Sequence, residues 1–308
     1  MTARRTHLDG LAVTLMLVCC VLWGAQQVVV KATLPVLSPF LQAALRSAIA
    51  AVCLAGWSFA RGIRLFDRDG TWWAGIGAGL LFGLEFLCIY AALPLTAASR
   101  VSVFIYLAPF VVALALPWFQ PAEKLAPLQV VGLVGAFLAL AYAFQEGFTT
   151  AKPTQWQGDG LAVLAACLWG ATTLVVRTTR LATAAPEKTL FYQLAVSAVL
   201  VAPIAFARGE RWPDGGLPAW AWLSLAFQSV VVAFVSYLAW FWLLHRYPAT
   251  RLSAFSFLTP LFGLAFAAWA LGETIGVRLV IAMACIAIGI ALVNRKPAQA
   301  ATLARELP

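Results

Sequence analysis

Charge is scarce in this chain of 308 residues: Asp, Glu, Lys and Arg together make up only 11% of it. Histidine occurs twice, at His7 and His245, and both lie near the ends of apolar segments. Without an HExxH motif or paired deep acids, an intramembrane enzyme lacks its catalytic constellation. The chain has no GxxxxGK[ST] loop, so ATP is not its energy source. Its six cysteines show neither metal-ligand spacing nor a disulfide framework. All fall inside apolar segments and read as small packing residues, and no metal or cofactor is expected. No polar stretch is long enough to hold a separate soluble domain.

Apolar residues fill the space that charge leaves. They make up 63% of the chain, more than a soluble protein could hide. The net charge of +9 is therefore read against the lipid bilayer and not nucleic acid. A helix crossing the hydrocarbon core needs about 20 mostly apolar residues. Ten such segments are expected, at 11–30, 38–60, 72–93, 101–119, 128–146, 160–178, 189–207, 219–244, 252–270 and 277–293. Proline, glycine and charge mark the breaks between them. Arg4 and Arg5 precede the first run as they would in a signal peptide. That run is long enough to span and lacks a cleavage signature, so an uncleaved first span is expected.

Orientation follows from the basic residues. With the N-terminus inside, fourteen Lys and Arg fall on the inner side and six on the outer, and Arg46 lies within a span. Both termini are thus expected to be cytoplasmic. The chain also repeats itself. LWGA stands at 22–25 and 168–171, DGLAV at 9–13 and 159–163, and RVSVFIYLAPF (100–110) returns as RLSAFSFLTPL (251–261). The halves run over 10–147 and 158–295, flanked by tails at 1–9 and 296–308. Five spans per half is an odd number, so the second half enters the membrane upside down. The expected fold class is all-α integral membrane: ten transmembrane helices in two inverted five-helix repeats, as in secondary transporters.

Several pieces resemble the drug/metabolite transporter superfamily, specifically its EamA-type ten-helix permeases. They are the two LWGA copies, AALR (43–46), the S-x-F-x-x-L-x-P runs near 102–109 and 253–260, and the acids that follow, Glu123 and Glu273. The resemblance covers essentially residues 10–295. It implies an inverted-repeat carrier in the bacterial inner membrane, of a kind that exports amino acids, in some members aromatic ones, and other small metabolites. Other branches carry nucleotide sugars or phosphorylated sugars, and these motifs do not separate the branches.

Candidate site residues come from what the bilayer penalises. Of twelve acids only Glu85 falls deep inside a span, and Arg46 is the only base well inside one. Each lies eight residues from the outer end of its segment, about 12 Å deep at 1.5 Å per residue. They are expected to pair or to face one cavity. A lone carboxylate at a helix centre costs about 2.5–3.5 kcal/mol on insertion scales, which marks Glu85 as functional by default. Binding a substrate ammonium and exchanging a proton are both open to it. A structural acid is the plain alternative for Glu85, and snorkelling or a packing ion pair the alternative for Arg46.

Pro109 and Pro260 occupy matching places in the fourth and ninth segments, where each deletes a helix hydrogen bond and favours a kink. Paired discontinuities of this kind point to a transporter's binding region and to gating. Trp23 and Trp169 are repeat partners near span centres, where an interfacial aromatic belt does not explain them. With Tyr90, Ser102, Tyr106, Gln228, Tyr237, Ser253 and Phe257 they can line an aromatic-walled cavity for an amphipathic small molecule. Filling of helix interfaces is the alternative for each aromatic ring. The functional expectation is export of small metabolites by alternating access, amino acids with aromatic or other apolar side chains foremost. A phosphorylated-sugar or nucleotide-sugar exchanger would want several deep cations, and a channel would want a filter or a ring of like charge.

Overall fold

Long apolar runs in a bilayer must satisfy their backbone internally, and here they do so as helices. The structure is a computed structural model that describes residues 7–92, 95–96, 98–143, 145, 153, 155–271 and 277–295. In chain order the helices are α1 (Gly10–Thr33), α2 (Pro39–Ala60), α3 (Trp72–Ala92), α4 (Ala98–Ile105), α5 (Ala108–Phe119) and α6 (Pro127–Ala143). Then come α7 (Gln155–Thr178), α8 (Pro186–Ala207), α9 (Ala219–Ala226), α10 (Tyr237–Arg246), α11 (Ala249–Phe255), α12 (Leu258–Leu271) and α13 (Val277–Val293). A π-helical stretch, Phe227–Ser236, joins α9 to α10 in one continuous run. Among the described residues no strand occurs, and six runs are long and apolar enough to cross a membrane. These are α1, α2, α3, α7, α8 and Ala219–Arg246.

Two of the expected spans are each a pair of helices. The fourth segment opens at residues 106–107, between α4 and α5, and the ninth at 256–257, between α11 and α12. Proline explains both places. Within a continuous helix each ring would clash with the preceding turn. In the structure Pro109 instead sits in the first turn of α5, where its missing N–H costs nothing, and Pro260 is the third residue of α12. The expected kinks are therefore full breaks, one turn before each proline.

Small residues decide where helices approach. Gly75, Gly79 and Gly83 lie against Tyr192, Val196 and Leu200 of α8. On α6 and α13, Gly132 and Gly289 meet backbone to backbone, such that a Cβ on either would lie 2.6 Å from the other's carbonyl oxygen. Each LWGA copy places its glycine against the helix that follows a break: Gly24 against Phe262 and Gly263 of α12, Gly170 against Val111 of α5. Trp72, Trp73, Trp118, Trp156, Trp220, Trp222 and Trp269 are exposed near segment ends, as a belt requires. Trp240, also close to a segment end, is instead buried, its ring 5.8 Å from that of Trp23.

Candidate functional site

The two breaks face each other. Tyr106, at the first, and Phe257, at the second, have ring centroids 6.3 Å apart, and both are buried. Trp169 stands edge-on to Tyr106 at 5.8 Å, while Phe137 lies 6.5 Å from Phe257. Pro109, Ser253, Ser256 and Pro260 are buried around this meeting point. The backbone of Ser102 belongs to α4, but its side chain lies outside the described residues, as does Glu273.

Trp23 anchors a second aromatic group. Its ring meets Tyr237 at 6.0 Å, and its Nε1 donates to Ser236 Oγ at 2.9 Å. Phe82 touches Tyr237 at 6.2 Å and Phe86 at 5.0 Å, which carries the wall onto α3. The π-helical stretch ends at Ser236, so it sets the position of Ser236 and Tyr237 against Trp23. The corresponding segment of the first half, α3, is regular and carries Glu85. A π turn of this kind often marks a functional site. Hydropathy gives no sign of it, because a π segment and an α segment can share the same apolar composition.

Arg46 and Glu85 enter this second group from α2 and α3. Glu85 is buried, and the Arg46 side chain is fully buried. They interact electrostatically. Direct pairing does not occur: among the described residues no ion pair joins them within 4.0 Å. The Arg46 guanidinium lies over the Phe86 ring, 4.2 Å from its centroid. Tyr90 and Tyr237 are also within its electrostatic reach. Tyr106 senses both Glu85 and Tyr237, which links this group to the meeting of the two breaks. One cation, one acid and a wall of rings thus share one buried region.

Other candidates are used differently. Gln228 accepts from Gln42 at 3.1 Å and donates to Ser224 at 2.9 Å, and Ser224 meets Thr33 at 2.5 Å. It belongs to a polar chain that ties the π-helical stretch to α2, α9 and α1. Tyr90 packs on Phe40 at 5.9 Å, in a small cluster near the start of α2. Phe82, Phe86 and Ser236 were not singled out among the expected lining residues. The available signal was helical spacing, since Phe82 lies three residues before Glu85 and Phe86 four residues after Phe82.

At one end of the bundle, ion pairing closes the helices together. Arg177 of α7 pairs with Glu123 of the turn Pro121–Glu123, and both are buried. Glu123 also accepts from the Ala249 and Thr250 backbone nitrogens at 3.1 and 3.2 Å, capping α11. Near that same end, Tyr247 donates to Asp9, the cap of α1, at 2.9 Å. His245 is held by the Phe241 and Leu181 carbonyls, and no group of metal-ligating residues forms among the described residues.

Six apolar runs of spanning length, beside two further apolar segments broken where buried aromatic rings meet, have the construction of a membrane transporter. The EamA-like transporter family matches the chain twice, over residues 10–145 and 156–295, and the chain belongs to that family. An uncharacterized transporter of Archaeoglobus fulgidus is 27% identical over 279 residues, 87% of this chain and 90% of that protein. The uncharacterized transporter YoaV of Bacillus subtilis is 23% identical over 280 residues, 87% of this chain and 91% of that protein. A crystal structure 22% identical in sequence shares the fold, with a TM-score of 0.76 over 92% of this chain and 96% of that one.

Proposed function

We propose that this transporter exports small metabolites, amino acids with aromatic or other apolar side chains foremost, across the bacterial inner membrane. In this reading the chain makes ten spans in two inverted five-helix units, residues 10–147 and 158–295, with both termini cytoplasmic. Alternating access moves one unit or bundle against the other about a buried central site.

The observation that carries the reading is the single buried region in which Arg46, Glu85, Trp23 and Tyr237 gather beside the Tyr106–Phe257 meeting of the two breaks. A zwitterion with an apolar side chain needs a cation, an anion and a flat apolar wall, and this region has one of each. A phosphorylated sugar carries two negative charges, whereas among the described residues Arg46 is the one buried cation of this region. Glu85 is suited to receive the substrate ammonium or to exchange a proton that couples export to the proton gradient.

The test is competition in proteoliposomes. Uptake of labelled phenylalanine is measured against a panel of aromatic, aliphatic and charged amino acids. Saturable uptake inhibited best by aromatic and aliphatic members is expected. Uptake no faster than in protein-free vesicles, with no member competing, would remove the amino-acid assignment.

A further inference from the structure

The Arg46 guanidinium is a buried charge with little compensation. Its Nε and both terminal nitrogens are buried and have no hydrogen-bond partner among the described residues. The Tyr237 phenol lies beside the guanidinium without a hydrogen bond of good geometry. Glu85, the acid that faces it, stays outside pairing distance. Glu210, the other acid near Tyr90, is taken up by the Phe40 and Leu41 backbone nitrogens, at 3.4 and 2.7 Å. The contrast is Arg177, also buried, which spends its donors on Glu123, Gln120 and the Leu244 carbonyl. A buried cation left without partners is strongly disfavoured. The Phe86 face compensates only part of that cost.

We infer that Arg46 is the binding point for a carboxylate of the transported molecule, gripped by two parallel N–H···O bonds. A guanidinium offers a planar fork that matches a carboxylate, which a lysine ammonium does not. Phe86 covers the fork from one side. The rings of Tyr237 and Trp23, which follow on the same wall, then receive the apolar part of the molecule. The inference rests on the carrier reading, because the anion is that of the cargo, but it does not require the cargo to be an amino acid.

Binding is read as thermal stabilisation of the purified full-length protein in detergent, with no transport step. The probes are sodium phenylacetate, its neutral amide phenylacetamide, and inorganic phosphate. Phenylacetate is expected to raise Tm by several degrees in a saturable way, and phenylacetamide to leave it unchanged. Arg46→Gln should abolish the shift, and Arg46→Lys should weaken the apparent affinity about tenfold or more, since it keeps the charge and loses the fork. Equal shifts with acid and amide, no shift with the acid, or a shift with phosphate alone would each overturn the assignment. The acid–amide comparison uses the unsubstituted protein, so poor folding of a variant does not affect it. A phenylacetate shift alongside a failed amino-acid panel would leave the carboxylate site standing and remove only the amino-acid reading. A successful panel in which amino-acid amides compete as well as the acids would do the reverse.

Discussion

Arg177 and Glu123 form an ion pair with both side chains only 3% exposed, and the same carboxylate caps the N-terminus of α11. Three parts of the chain that are distant in sequence are thereby held at one point. Removing one member leaves the other charge buried and alone, which typically costs about 3–5 kcal/mol. Glu123→Gln is accordingly expected to lower Tm by many degrees. Adding Arg177→Met to that variant should recover part of the loss, because the orphaned charge goes with it. If Glu123→Gln melts with the unsubstituted protein, the pair is not holding these helices.

Glycines on α3 provide an internal comparison. A Cβ on Gly79 would lie 2.5 Å from Val196 Cβ and 2.7 Å from the Tyr192 carbonyl oxygen, so backbone must move. A Cβ on Gly77 of the same helix meets nothing within 4 Å. Gly79→Ala is expected to destabilise by about 1–3 kcal/mol through overpacking. Gly77→Ala should be neutral or slightly stabilising, since alanine is the better helix former. Thermal melts of the two variants side by side check this, and equal effects would contradict the packing described for α3 and α8.

In the proposed mechanism Glu85 is the acid that exchanges a proton. With Glu85→Gln in proteoliposomes, stimulation of export by an imposed pH gradient is expected to disappear. Transport driven by the substrate's own gradient should fall as well if the carboxylate also binds the substrate ammonium. Rates matching the unsubstituted protein in both conditions would take Glu85 out of the mechanism.

The loop before α3 carries a pH-dependent contact. Asp69 accepts from Lys188 at 2.7 Å and from the Thr71 hydroxyl at 2.6 Å. The Lys188 hydrogen bond, followed by that of Thr71, holds its carboxyl well below the usual carboxylate range. A depressed folded-state value stabilises the protein above the unfolded-state value, and that stability is lost only as pH falls towards the folded one. The Tm difference between the unsubstituted protein and Asp69→Asn should therefore be constant from about pH 5 to 8 and shrink below about pH 4. The carboxylate is partly exposed, so the difference should be small and should decrease with salt. A difference that grows on acidification would contradict the described pairing.

Much of the fold was legible because its causes are local. Hydropathy places the helices, and proline places the breaks, since a ring that cannot donate clashes wherever it sits in a helix. The repeated LWGA pointed to Trp23 and Trp169, and both lie in the buried aromatic groups. Gln228 was expected as a polar residue lining a cavity; that its partners are Gln42 and Ser224 is a choice composition does not encode. Trp240 stands close to a segment end, as a belt residue would, but in the packed bundle it is buried against Trp23.

The sequence by itself determined that this chain belongs in a membrane, that its two halves are related, and that only one acid and one base lie deep within its apolar segments. These follow from the cost of moving each side chain from water to hydrocarbon, a property of single residues. Tertiary structure alone decided that both terminal nitrogens of Arg177 find partners while those of Arg46, also buried, do not. That difference depends on which helix faces turn towards each other and how closely glycine lets them approach, and it exists only once the helices are packed.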